Sequence, residues 1–227
     1  MTRRPMAVVT GASRGIGRAI AKRLAEHYDI LAVARSASEL DALAKEIEQA
    51  AGCCWPLTLD VTDPAAVERS LAGVAADVLV NNAGVGTLRP LLELTPDDWK
   101  RMVDVNFNAL FYVTRALLPG MVERKSGFIV NIGSLAGRNT FVGGTCYAAT
   151  KHAVVGFSES LMLEVRDANV RVAVIMPGSV DTDFSPRRAD ASWKLTAEDV
   201  AEAVWYVVNQ PARALVSRVE MRPAKTK

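Results

Sequence analysis

Short apolar runs alternate with amphipathic stretches along this chain. The runs at 7–9, 30–34, 55–59, 78–80, 128–132 and 170–175 are rich in Val, Ile, Leu and Ala. They read as strands buried on both faces, because a strand with one wet face alternates apolar and polar residues. A seventh strand is predicted over 213–220. Between the runs, apolar residues recur at helical spacing, as at Ile16, Ile20 and Leu24. Polar residues able to accept unpaired backbone N–H groups mark the helix starts. They are Ser38 with Asp41, Asp63 before Pro64, Thr95 with Pro96 and Asp98, and Thr196 with Asp199. Strands alternating with helices predict a parallel sheet covered on both faces. No linker, repeat or low-complexity stretch interrupts the alternation, so one α/β domain is expected over 1–227.

Composition narrows the classes of function. Half of the residues are hydrophobic, ample for a packed core, and the formal charge is only +2. Without a long basic run, electrostatics makes no case for nucleic acid. No apolar run approaches the roughly 20 residues of a membrane span. Met1-Thr2-Arg3-Arg4-Pro5 leads into the first strand without a signal-peptide core, so a cytoplasmic protein is expected. Cys53, Cys54 and Cys146 form no disulfide framework, and no ligand cluster accompanies His27 or His152, so no metal is expected. The adjacent Cys53 and Cys54 read as half-buried thiols, and His152 as a core or interface residue.

Two constellations carry chemistry. The first strand runs into Thr10-Gly11-Ala12-Ser13-Arg14-Gly15-Ile16-Gly17. Strand, glycine turn and helix together offer a helix N-terminus to an anionic pyrophosphate. Gly11 permits a tight turn, Gly15 lets backbone approach phosphate, and Gly17 allows close packing of helix on strand. The spacing Gly-x-x-x-Gly-x-Gly differs from the dinucleotide fingerprint, and by itself it reads equally as an ordinary turn. The second constellation is Tyr147 and Lys151, on one face of a predicted helix, with Ser134 thirteen residues before the tyrosine. A neighbouring ammonium is expected to lower the tyrosine pKa from about 10, giving a proton donor usable near neutral pH. Cys146 is expected to line the same site without taking part.

Taken together, these motifs resemble the short-chain dehydrogenase/reductase family over nearly the whole chain. Asn81-Asn82-Ala83-Gly84, Val105-Asn106-Phe107-Asn108 and Pro177-Gly178-Ser179-Val180-Asp181-Thr182 add to the glycine turn, the serine and the Tyr-x-x-x-Lys pair in the family's order. The resemblance implies a Rossmann fold with strand order 3-2-1-4-5-6-7 and the ligand over the C-terminal strand ends. It also implies hydride transfer between a nicotinamide cofactor and a carbonyl carbon. The catalytic positions it implies are Asn106, Ser134, Tyr147 and Lys151. In that scheme Tyr147 gives the proton, and Lys151 tunes it and holds the nicotinamide ribose. Ser134 polarises the substrate oxygen, and Asn106 positions a water relayed to Lys151, with Asn108 left a structural role. Cofactor contacts are implied at Gly11, Ser13, Arg14, Gly15, Ile16 and Gly17, then at Asp60 and Val61. Further contacts fall at Asn82, Ala83, Gly84, Tyr147, Lys151, Pro177, Gly178, Val180 and Thr182.

The choice of cofactor follows from the end of the second strand. NAD-using enzymes place a carboxylate there for the ribose hydroxyls. Here the strand ends Ala34-Arg35-Ser36, and Arg35 with Arg14 suits a 2′-phosphate, which predicts NADP(H). A substrate wall is expected from Leu135, Phe141 and Val142, with Phe184 and Trp193 in a short lid over 179–195. Arg138, Arg187 and Arg188 are candidates for meeting a carboxylate or an acidic acyl carrier protein. The ending Val219-Glu220-Met221-Arg222-Pro223 lacks the glycine pair of many ketoacyl reductases and looks more like the 3-hydroxy-acid dehydrogenase branch. A broad NADPH-dependent carbonyl reductase is expected, with an acyl-carrier reductase, a 3-hydroxy-acid dehydrogenase and a non-catalytic NADP(H) sensor or scaffold as alternatives. Val154, Val155, Phe157, Leu161 and Met162 cover more than one face of the Tyr147 helix, which predicts a homo-oligomer, a dimer or tetramer.

Overall fold

Seven parallel strands form one sheet in the order β3-β2-β1-β4-β5-β6-β7. They are β1 (Met6–Thr10), β2 (Asp29–Ala34), β3 (Cys54–Thr58), β4 (Val78–Asn81), β5 (Gly127–Ile132), β6 (Val170–Pro177) and β7 (Arg218–Met221). The computed structural model describes residues 4–182, 184 and 191–225. Seven α-helices connect the described strands: α1 (Gly15–Leu24), α2 (Ala37–Gln49), α3 (Pro64–Leu71), α4 (Pro96–Val103), α5 (Ala109–Glu123), α6 (Thr145–Val165) and α7 (Ala197–Val208).

The sheet is buried on both faces, which explains why its strands are apolar runs. Val9, Val80 and Val130 face Ile20 and Leu24 of α1, Leu40 and Leu43 of α2, and Val204 of α7. Their neighbours Val8, Leu79 and Ile129 face Val67 of α3, Val113 and Leu117 of α5, and Leu161 of α6. The chain leaves β1 toward β2 on one side and returns to β4 on the other. This reversal opens a crevice above the C-terminal ends of β1 and β4, where ligands of such sheets bind.

The predicted helix starts hold with one exception. Asp63 accepts from the Ala65 and Ala66 amides, and Thr95 with Asp98 and Thr196 with Asp199 form reciprocal capping boxes. Helix α2 instead begins at Ala37 behind Ser36, because the Leu40 amide already donates to the Ser36 carbonyl. Ser38 and Asp41 therefore lie inside that helix. The third strand sits one residue earlier than predicted, at Cys54–Thr58. The seventh begins only at Arg218, since the chain after Pro211 first makes a turn closed by the Ala214 amide.

Candidate active site

The glycine turn is shaped by crowding. Gly11 and Gly15 take left-handed backbone angles, φ 65° and 54°, which favour glycine. At Gly17 a Cβ would lie 2.2 Å from the Gly11 carbonyl oxygen and 2.4 Å from Asn82 Nδ2. The turn is tied to the segment after β4 by side chains. Thr10 Oγ1 accepts from the Asn82 and Ala83 amides at 3.0 and 3.1 Å. Asn82 Nδ2 donates in return to the carbonyls of Thr10 and Gly11 at 3.0 and 3.2 Å.

A second close approach assembles the reactive side chains. After β5, Ser134 opens a short 3-10 turn (Leu135–Gly137) and its Oγ accepts from the Ala136 amide at 3.1 Å. A Cβ on Gly137 would sit 2.7 Å from the Lys151 carbonyl, so glycine lets this turn press on α6. Ser134 is thereby within hydrogen-bonding reach of Tyr147. Lys151 is buried, and its Nζ donates to the Ile132 carbonyl at 3.0 Å and lies 5.8 Å from the Tyr147 ring centre.

Electrostatics at this pair departs from the sequence expectation. Protein surrounding the Tyr147 phenol pushes its pKa up, and only the Ser134 hydrogen bond pulls it down. Burial acts on the lysine as well, taking it from 10.5 down to about 8. Lys151 is not among the groups that lower the tyrosine in this structure, and its ammonium donates to the Ile132 carbonyl.

Asn106 lies in a π-helical turn (Asp104–Asn108) between α4 and α5. Its Oδ1 accepts from the Val85 amide at 2.8 Å, while Nδ2 donates to the Val85 carbonyl and Thr150 Oγ1 at 2.9 and 3.1 Å. The amide thus clamps the segment after β4 against α6, leaving the backbone of the turn to serve any relay. Asn108 donates to Asp104 at 2.9 Å, the structural role expected of it.

These segments enclose one cleft of about 1330 Å³. From the β1–α1 turn it is lined by Gly11, Ser13, Arg14, Gly15 and Ile16, and past β2 and β3 by Arg35, Ser36, Asp60 and Val61. Asn82, Ala83 and Gly84 follow β4, and Pro177, Gly178, Val180 and Thr182 follow β6. Ser134, Tyr147 and Lys151 complete it. Of the predicted catalytic and cofactor residues, two are not on its walls: Gly17 stands behind Gly11, and Asn106 lines a neighbouring pocket of about 10 Å³. The end of β2 presents no carboxylate, and Arg14 and Arg35 are both exposed on the cleft. Asp60 is held below the usual carboxylate range, first by the Thr62 amide and in part by Arg35. A cleft of this volume, a glycine turn open to phosphate and two exposed arginines fit a phosphorylated dinucleotide.

Comparison with known proteins agrees with that geometry. The family model for short chain dehydrogenase matches residues 5–193. The chain belongs to the short-chain dehydrogenase family. It is 40% identical over 235 residues to the NADP-dependent 3-hydroxy acid dehydrogenase of Salmonella typhimurium, covering 95% of this chain and 94% of that protein. Serine 3-dehydrogenase of Agrobacterium fabrum is 34% identical, over 95% of this chain and 92% of its own. A closed form of serine dehydrogenase complexed with NADP+ superposes with a TM-score of 0.91 and 38% identity, covering 98% of this chain and 96% of that one.

Around this short-chain dehydrogenase core the substrate wall is partly as expected. Leu135, Phe141, Phe184 and Trp193 line the cleft, whereas Val142 is 98% exposed and off the wall. The Phe184 ring lies 5.6 Å from that of Tyr147 and fills the space a Gly86 side chain would occupy, with Cζ 2.5 Å from the absent Cβ. Arg138 is off the wall too, drawn to Glu220 by an ion pair, and Arg187 and Arg188 lie outside the described residues. Cys146 turns away to the Trp99 carbonyl. His152 is exposed rather than in the core, its Nδ1 meeting the Ala148 carbonyl.

Sequence reasoning missed two groups. Asn81 bonds to Thr114 and Asn131, and Asn131 to Ser158, a buried chain tying β4 and β5 to α6. Asparagines ending otherwise apolar strands were the available signal. The other group is Arg222 and Pro223, which line the cleft from beyond β7. Nothing local in a C-terminal tail announces that contact.

Proposed function

We propose that this protein is an NADPH-dependent oxidoreductase reducing a ketone or aldehyde to an alcohol, with a 3-oxo acid as the preferred substrate class. The convergence of Ser134, Tyr147 and Lys151 on the cleft that holds the glycine turn carries the reading. The names of the relatives add the acid. NADPH, when bound, would supply the hydride that the carbonyl carbon receives. Arg14 and Arg35 would hold its 2′-phosphate, and Asp60 and Val61 would meet its adenosine end.

Because its pKa is raised, Tyr147 carries its proton at neutral pH and gives it to the carbonyl oxygen as that oxygen gains charge. Ser134 donates to the same oxygen, stabilising the charge as it develops. Lys151, with a pKa of about 8, exchanges protons near neutrality and resupplies the phenolate through a relay, since its ammonium faces the Ile132 carbonyl. Asn106 acts as a positioning residue, holding Val85 and Thr150 so that this geometry persists.

Placement in the cytoplasm and assembly into a dimer or tetramer belong to the same proposal. Among the described residues no helix is long and apolar enough to cross a membrane. Phe111 and Val122 of α5 and Leu163 of α6 stand 45%, 40% and 61% exposed, apolar surface available to a second copy.

Tyr147→Phe tests the mechanism. NADPH affinity, read by fluorescence titration, is expected to stay nearly unchanged while kcat falls by about 10²–10⁴. Retained turnover would remove the tyrosine from the mechanism.

A further inference from the structure

The substrate side of the cleft holds a charge that proton transfer does not require. Among the described residues, the carboxylates lining the cleft are Glu39 and Asp60, which follow β2 and β3 on the Arg35 side. Arg222 lines it from the opposite edge of the sheet. Its position is fixed through its neighbours. The Gly178 amide donates to the Met221 carbonyl at 2.8 Å. A Cβ on Gly178 would meet Leu135 Cδ1 at 3.1 Å and Pro223 Cδ at 3.2 Å. The backbone on either side of Arg222 is therefore packed beside the residue that follows Ser134.

The guanidinium is held loosely. Glu220 on β7 gives one carboxylate oxygen to Arg138, and its other oxygen accepts from Arg222 at 3.3 Å. Two guanidiniums on one carboxylate leave one positive charge in surplus, and the closer contact is with Arg138. Lys194 also lines the cleft, but its buried ammonium already faces Asp181 at 3.9 Å. Arg101 and Lys225 line the cleft as well, but Arg222 is the cation whose flanking backbone is packed beside Leu135 and whose charge its carboxylate partner shares with Arg138. A planar guanidinium suits a carboxylate, which it can grip through two parallel hydrogen bonds.

We propose that Arg222 anchors the carboxylate of the substrate and so selects a 3-oxo acid over its uncharged analogues. The proposal rests on the oxidoreductase reading above and adds to it the residue that sets acid selectivity. Arg222 touches neither the hydride acceptor nor the proton donor, so its loss should raise KM for the acid more than it lowers kcat.

The test compares 3-oxobutanoate with its methyl ester, a pair differing chiefly in charge, as substrates of wild type, Arg222→Gln, Arg222→Lys and Lys194→Met. Wild type is expected to favour the acid. Arg222→Gln should lower kcat/KM for the acid about tenfold through KM while leaving the ester unchanged. Arg222→Lys should retain part of the preference. Ester turnover in each variant verifies that the fold and the catalytic residues are intact. An unaltered acid-to-ester ratio in Arg222→Gln overturns the anchor, as does a ratio that collapses only in Lys194→Met; either leaves the oxidoreductase reading standing. Absence of turnover on both compounds and on other carbonyls in the wild type would overturn both.

Discussion

Lys151 shows how burial decides chemistry at a single residue. Enclosure takes its pKa from 10.5 to about 8. Below about pH 8 the folded protein must hold the ammonium in a dry site, which opposes folding. Between 8 and 10.5 the unfolded chain binds more protons, so stability rises with pH across that window. The cost is about 3 kcal/mol at pH 7 and about 1 kcal/mol at pH 10, from the size of the shift. Lys151→Met gives up the bond to Ile132 but removes this cost. It is expected to stabilise the protein by about 2 kcal/mol at pH 7, with the gain fading by pH 10, while turnover is lost. Denaturant melts at the two pH values check this, and an equal gain at both would contradict it. The identities of Tyr147 and Lys151 were legible from their spacing. The direction of the tyrosine shift was not, because the packing around a phenol has no local signature.

At the scale of elements, close approaches position the site. The β1–α1 turn exists in this form because Gly17 has no side chain to meet the Gly11 carbonyl at 2.2 Å. Gly17→Ala is expected to cost about 3 kcal/mol in urea unfolding, the upper range for overpacking, and to weaken NADPH binding as the turn shifts. Wild-type stability in that variant would contradict the packing role. Strands, glycine turn and most helix caps could be read beforehand because their signals are local. The π-helical turn at Asp104–Asn108 could not. Its residues continue the pattern of the flanking helices, and the bonds that tie Asn106 to Val85 and Thr150 join segments distant in sequence. The late start of β7 was not legible either, since it depends on the turn after Pro211 and on pairing with β6.

Across the whole molecule, the switch in strand order gathers segments from residue 11 to residue 223 into one cleft. The sheet sets the order of functions along it. Arginines that follow β1 and β2 stand at one end, the reactive side chains follow β5, and Arg222 follows β7. Motifs at the first of these places were readable because turns and spacings carry them. The contribution of Arg222 emerges only when β7 is laid beside β6. In the proposed NADPH-linked reductase, the choice of cofactor lies at the end of β2. Its most direct test is the initial rate of 3-oxobutanoate reduction with NADPH and with NADH, in wild type and Arg35→Ala. Wild type is expected to prefer NADPH at least about tenfold in kcat/KM, and Arg35→Ala to lose most of that preference by losing NADPH use while NADH rates persist. Equal use of the two cofactors by wild type, or loss of NADH use in Arg35→Ala, would contradict it.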